Sequence, residues 1–198
     1  IIIPYQAKES LTKELTWENI ELHLPDVQGE HEQIIENDVN VLLPHSKTEY
    51  GIITDMDDTI LESHVNSFLK LRLLYETFLK NAHSRLAFEN IGDVLQKLSR
   101  NEKGQLVNPI FFLSHSPWNL YELLINFIEK NNIPKGPFFL RDFGYKRGQE
   151  KFEHEHHKAL AIEHLMNFYP NLQFVLLGDA TEYDVDIYTE AFKKYPKR

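Results

Sequence analysis

Two carboxylates and a hydroxyl follow a short apolar segment of the chain. The segment is Tyr50–Thr54, and Asp55, Asp57 and Thr59 come directly after it. Ligands of a parallel α/β sheet bind outside the carboxyl ends of the strands, so a buried strand here would deliver Asp55 to a ligand. One carboxylate could attack phosphorus while the other moves protons, and both could hold Mg2+, which prefers oxygen ligands. The pattern predicts phosphoryl transfer, although Asp and Thr also cap helices and form turns.

From Gly51 onward, apolar segments alternate with stretches of helical periodicity. This order predicts an α/β fold with a parallel sheet and helices on both faces. We expect the next strands at 109–113, 137–140 and 172–177, and helices at 120–130 and 158–168. Polar residues follow each of these strands, so the same edge of the sheet would carry several reactive side chains.

Residues 1–48 differ from the catalytic region predicted at 49–198. Two short segments at 20–24 and 39–43 resemble strands, so we interpret 1–48 as an accessory β segment without identifiable catalytic residues. About fifty residues separate the first two strands of the catalytic region, which is more than one crossover needs. We expect a helix at 66–80, a crossover helix at 88–100, and a small cap or flap over the site at 63–88.

Composition bounds the class of protein. A chain of 198 residues with 42% hydrophobic residues is long enough for one sizeable core with an appendage. The net charge of −9 argues against binding to nucleic acid. The absence of Cys excludes disulfides and fits the cytoplasm, and no apolar window is long enough to span a membrane. The first Met is Met56, so we interpret the chain as a processed or excised piece, compatible with removal of an upstream signal peptide.

Four positions resemble, in order, the motifs of the haloacid dehalogenase superfamily. They are Asp55–Thr59, Ser114, Lys158, and Gly178-Asp179 with Asp184. Further segments resemble the actin patch protein family of phosphatidate phosphatases: 71–74, 81–86, 114–121, 140–144 and 157–158. The likeness covers roughly 49–195. It implies a Rossmann-like haloacid dehalogenase fold and Mg2+-dependent hydrolysis of a phosphomonoester through an aspartyl-phosphate.

The resemblance implies a role for each catalytic residue. Asp55 would be the nucleophile, and Asp57 would act first as general acid and then as general base. Thr59 would orient Asp57 or its loop. Ser114 would hydrogen-bond a phosphoryl oxygen, and Lys158 would pair with Asp55 and the phosphoryl group.

Two further groups of residues complete the predicted site. The residues that would hold Mg2+ are Asp55, Asp57 through its backbone carbonyl, Asp179 and Asp184. The candidate substrate-binding residues are Ser116, Trp118, Asn119, Arg85 and Arg141. Trp118 could instead belong to the core, and each Arg could serve a structural ion pair.

Other interpretations compete with several of these assignments. Taken alone, Lys158 could be a surface lysine at the start of a helix. Glu182 and Asp186 compete with Asp184 for the metal site, and we favour Asp184 because of its spacing. Three histidines resemble a metal-binding tract, but we interpret them as part of a polar loop and exclude them from the site: His154, His156 and His157.

Three functions follow from these interpretations. The resemblance favours hydrolysis of phosphatidate to diacylglycerol, with peripheral contact to a membrane. The same catalytic set would also serve a phosphatase of soluble phosphomonoesters. A lipid- or protein-binding module that kept the fold without its chemistry is the alternative from another class. Such a module would have lost at least one catalytic residue, so the intact set favours an enzyme.

Overall fold

The computed structural model of the chain describes residues 16–22, 37–56, 91–141, 150–178 and 184–198. The strands are β1 (Thr16–Leu22), β2 (Asn37–Leu43), β3 (Tyr50–Asp55), β4 (Ile110–Pro117), β5 (Phe138–Arg141) and β6 (Gln173–Leu177). The helices are α1, described over 91–98, α2 (Tyr121–Lys130), α3 (Glu150–Phe168) and α4 (Asp184–Lys194). A 3-10 turn at Trp118–Leu120 precedes α2. The predicted cap at 63–88 and helix at 66–80 lie outside these ranges.

Four strands form one parallel sheet in the order β5-β4-β3-β6. The chain proceeds from β3 to β4 and β5, and then returns to the other side of β3 as β6. In such sheets the ligand crevice lies at the carboxyl ends of the strands where the direction of winding reverses. Here that point lies between β3 and β6.

The strand register brings three strand ends to one level. Asp55 of β3 lies beside Leu113 of β4, and Thr54 lies beside Leu177 of β6. Ser114 and Gly178 are the next residues of their segments, so they lie next to Asp55 at the carboxyl edge. The predicted convergence of polar residues at this edge is therefore confirmed for β3 and β4, which carry Asp55 and Ser114.

Helices cover both faces of the sheet, as predicted. Side chains alternate between the two faces of a strand, so Ile52 belongs to one core and Ile53 to the other. The first core includes residues of α1 and α2, such as Leu95 and Phe127, and the second includes Ile162 of α3. Burial on both faces explains why the strands have continuous apolar sequences.

The accessory β segment forms a separate antiparallel pair. β1 pairs with β2 over Thr16–Leu22 and Asn37–Leu43. β1 therefore begins earlier than the predicted 20–24. Trp17 and Leu42 pack against the second core, and the Lys135 Nζ lies 4.8 Å from the centroid of the Trp17 ring. The pair is thus attached to the α/β core, and the division at residue 48 stays a prediction.

Two predicted boundaries were wrong. α3 begins at Glu150, so His154, His156 and His157 lie in a helix and not in a polar loop. The sequence 150–157 has Phe152 as its one apolar residue, so it lacks an apolar stripe although Glu and Lys form helices readily. β4 extends beyond Leu113 to Pro117, because pairing with β5 resumes after an irregularity in the register.

Candidate active site

The floor of the site is formed by the ends of β3 and β4. The side chains of Asp55 and Ser114 are fully buried. The backbone N–H of Ser116 donates a hydrogen bond to the Ser114 Oγ at 3.0 Å. This contact fixes a hydroxyl next to a carboxylate at the edge of the sheet where a ligand would bind.

Lys158 contacts two acidic side chains that are distant in the sequence, Asp55 and Asp184. It lies about two turns into α3, and only 1% of its surface is exposed. Its Nζ lies 3.0 Å from the Asp55 Oδ2 and 2.8 Å from the Asp184 Oδ1. The interpretation of Lys158 as a surface lysine at a helix start is therefore wrong.

The protonation of Lys158 follows from its surroundings. Burial lowers the pKa of Lys158, but the negative charge of Asp55 and the charge and hydrogen bond of Asp184 raise it above its ordinary value. Lys158 is therefore a permanent cation at neutral pH. It places a positive charge beside the carboxylate that would attack phosphorus.

Asp184 is the one of the three competing acidic residues that contacts Lys158 within the described part of the chain. It is the first residue of α4 and is buried against Lys158, whereas Asp186 is exposed on the same helix. Glu182 lies outside the described residues. The burial of Asp184 against a cation distinguishes it from the exposed Asp186, and its role as a metal ligand stays a prediction.

The donor set fits a hard divalent cation. Asp55 and Asp184 carry two negative charges against the single positive charge of Lys158, so one negative charge remains for a bound cation to offset. Asp57 and Asp179 lie outside the described residues, directly after the ends of β3 and β6 in the sequence. Within the described ranges alone, no group of three acidic or histidine side chains could hold a metal ion. Together, the predicted carboxylates of Asp55, Asp179 and Asp184 and the backbone carbonyl of Asp57 would offer the oxygen ligands that Mg2+ prefers.

Comparison with known proteins gives the family. The family model described as "Phosphatidate phosphatase APP1, catalytic domain" matches residues 50–198. The chain belongs to this family. It is 26% identical over 188 residues to Phosphatidate phosphatase APP1 of Saccharomyces cerevisiae, which covers 91% of this chain and 29% of that protein. It is also 26% identical over 149 residues to an uncharacterized protein of Schizosaccharomyces pombe, which covers 75% of this chain and 24% of that protein.

The chain therefore spans less than a third of the length of either relative. The match to the phosphatidate phosphatase APP1 family begins at Tyr50, the first residue of β3, and includes the whole parallel sheet. β1 and β2 precede the family match. No solved structure matches the chain.

The remaining predicted residues of the APP1 family site have different outcomes. Asp57, Thr59, Arg85 and Asp179 lie outside the described residues. Asn119 lies in the 3-10 turn, and Arg141 is the last residue of β5. Trp118 is 54% exposed beside the end of β4, so its interpretation as a core residue is wrong. Its role in binding substrate stays a prediction.

Tyr188 is the residue of this region that the sequence interpretation missed. It lies one turn after Asp184 in α4, and its hydroxyl donates a hydrogen bond to the Leu177 carbonyl oxygen at 3.0 Å. The i,i+4 spacing from a predicted site residue was the available signal, because such residues share one face of a helix.

None of the helices within the described ranges is long and apolar enough to cross a membrane.

Proposed function

We propose that the chain is a Mg2+-dependent phosphatase that hydrolyses phosphatidate to diacylglycerol and phosphate. The observation that carries the proposal is the buried contact of Lys158 with Asp55 at the carboxyl edge of the sheet, in a chain of this family. The substrate class comes from the name of the Saccharomyces cerevisiae relative. We further propose that contact with the lipid is peripheral and that no nucleic acid is bound.

Asp55 is the proposed nucleophile. One of its carboxylate oxygens bonds to phosphorus while the bond from phosphorus to the glycerol oxygen breaks. Asp57 gives its proton to that oxygen and releases diacylglycerol. Water then attacks the aspartyl-phosphate with Asp57 as base, the bond between Asp55 and phosphorus breaks, and phosphate leaves.

Two buried groups support the charge that gathers on the phosphoryl oxygens. The Lys158 ammonium offsets the negative charge of Asp55, and the proposed role of the buried Ser114 hydroxyl is to bind a phosphoryl oxygen. Such preorganised charges and hydrogen bonds are a major source of catalysis in phosphoryl transfer. Mg2+, held by the carboxylates of Asp55, Asp179 and Asp184 and by the backbone carbonyl of Asp57, would neutralise part of the phosphoryl charge.

The alternatives from the sequence differ in what they require. A binding module without chemistry would not need a buried lysine between two buried carboxylates, because burial of three charges is costly. A phosphatase of soluble phosphomonoesters would use the same residues. The choice of substrates in the assay separates it from a phosphatidate phosphatase.

The test is release of inorganic phosphate from short-chain phosphatidate and from a panel of soluble phosphomonoesters, with Mg2+ or with EDTA. We expect Mg2+-dependent release that Asp55→Asn abolishes, because the amide cannot attack phosphorus. The matched control is Asp186→Asn, which removes an exposed carboxylate from the first turn of α4 and should leave the rate unchanged. Failure of the folded wild type to release phosphate from any compound would overturn the proposal.

A further inference from the structure

Tyr188 connects α4 to the end of β6. Its hydroxyl bonds to the carbonyl oxygen of Leu177, the last residue of that strand. Its ring packs against the second core. Leu177 lies beside Thr54, the residue before Asp55, so this phenol is anchored within one residue of the level of the proposed nucleophile.

Gly178 brings the phenol and the Asp184 carboxylate into one small space. A β-carbon at residue 178 would collide with the Asp184 Oδ2, and it would lie 2.7 Å from the Tyr188 Cε2 and 2.8 Å from the Tyr188 hydroxyl oxygen. The two side chains therefore pack together over the Gly178 backbone. The other oxygen of Asp184, Oδ1, contacts Lys158.

The phenol is a donor throughout the ordinary pH range. Burial raises the pKa of Tyr188, and the negative charges of Asp184 and Asp55 and a hydrogen bond to Asp184 raise it further. Its hydroxyl donates to the Leu177 carbonyl oxygen, and the Asp184 Oδ2 lies beside the same position of Gly178 as this hydroxyl. A hydrogen bond to a charged acceptor is stronger than one to a carbonyl.

We propose that Tyr188 is a positioning residue that holds the Asp184 carboxylate against Lys158 and thereby keeps Lys158 on Asp55. The Asp184 carboxylate is held at both oxygens, with the Lys158 ammonium at Oδ1 and the Tyr188 phenol beside Oδ2. The effect on turnover rests on the proposed phosphatase function. The interaction of Tyr188 with Asp184 is a property of the folded protein and does not depend on that function.

A double-mutant cycle in the whole chain tests the interaction of Tyr188 with Asp184 without any assay of activity. Tyr188→Phe is made in the wild type and in Asp184→Ala, and the unfolding equilibrium is measured with urea. We expect loss of the hydroxyl to raise the equilibrium constant for unfolding by a larger factor in the wild type than in Asp184→Ala. The two factors should differ at least about fivefold, which corresponds to about 1 kcal/mol of unfolding free energy. A phenol that served Leu177 alone would cost the same in both backgrounds, and that result overturns the proposal.

Steady-state kinetics test the consequence for the site. We expect Tyr188→Phe to lower kcat about three- to tenfold with KM unchanged, because Tyr188 would act through Asp184 and Lys158 and not on the substrate. Tyr169→Phe removes another partly buried phenol that packs against the second core, and it should leave kcat unchanged. An unchanged kcat in Tyr188→Phe overturns the catalytic part of the proposal. If the cycle shows coupling between Tyr188 and Asp184 but the wild type releases no phosphate, the interaction of the two residues is supported and the phosphatase function is rejected.

Discussion

Burial and charge act against each other at Lys158. Burial of an ammonium is costly, and lysines are almost never fully buried without a partner. Two buried carboxylates, at 3.0 Å and 2.8 Å, offset that cost here. The three groups therefore form one unit, in which removal of the cation leaves two negative charges close together.

Lys158→Met tests this unit with a side chain of similar length. We expect the variant to lose about 3–5 kcal/mol of unfolding free energy, because two buried carboxylates lose their counter-ion. Phosphate release should disappear as well. Urea unfolding measures the first effect. The control is Lys194→Met, which breaks an exposed pair with Glu163 and should cost little. A loss at Lys158 no larger than at Lys194 would contradict the argument.

Trp118 offers a test of substrate contact at the level of one side chain. It is exposed where β4 ends, and its ring centroid lies 6.0 Å from that of Tyr121. We expect Trp118→Ala to raise KM for short-chain phosphatidate roughly tenfold, the loss of about 1.4 kcal/mol of binding, with kcat and stability unchanged. Phe192→Ala, at an exposed position of α4, is the control. Equal KM values in the wild type and Trp118→Ala would remove Trp118 from the site.

At the scale of elements, the position of the site depends on strand register. Asp55, Ser114 and Gly178 reach one level because β4 and β6 pair in parallel with β3 in this register. α3 and α4 then supply Lys158 and Asp184 from the same face of the sheet. A displacement of α4 relative to the end of β6 would therefore disturb the charged unit directly.

Gly178→Ala should produce such a displacement. The added β-carbon meets the Asp184 carboxylate and the Tyr188 ring, so we expect a cost of about 1–3 kcal/mol in stability. We also expect kcat to fall by one to two orders of magnitude, since a small misplacement of catalytic groups is expensive. Gly51→Ala is the matched control, because its β-carbon meets the Phe174 ring at 2.6 Å near the other end of the strands. It should lose stability but keep kcat, and equal kcat values in the two variants would contradict this account.

At the scale of the whole molecule, several buried groups make folding sensitive to alkali. Burial raises the pKa of Tyr169 to about 12 from an unfolded value near 10. The pKa values of Tyr188 and Lys158 are raised too. The folded state holds these protons more tightly than the unfolded state does. The stability linked to them is therefore fully present below about pH 10 and is lost as the pH rises through the folded pKa values.

Urea unfolding of the wild type and Tyr169→Phe between pH 8 and pH 12 would measure the contribution of Tyr169. The raised pKa predicts that the wild type loses on the order of 2–3 kcal/mol more than the variant as the pH rises from about 10 to about 12. The variant should still lose some stability, because Tyr188 and Lys158 remain. Identical pH dependence in the two proteins would show that Tyr169 does not contribute.

Much of the fold and part of the site were predictable from the sequence. Local patterns carried this information, because a buried strand needs a continuous apolar segment and a reactive edge needs polar residues directly after it. The strands at β3 and β6, the parallel pairing of the sheet, and the candidates Asp55 and Ser114 follow from such patterns, whereas Asp184 came from the family resemblance. The start of α3 did not, because the sequence 150–157 has no apolar stripe.

The amino-acid sequence by itself determined which residues could do the chemistry and the strand ends that would carry them. Only the tertiary structure decided that Lys158 is buried between Asp55 and Asp184, that Trp118 is exposed, and that Tyr188 packs against Asp184 over Gly178. Sequence periodicity reports how a segment buries its own side chains. It does not report which residues distant in the chain share a space, because strand register and helix docking set those contacts.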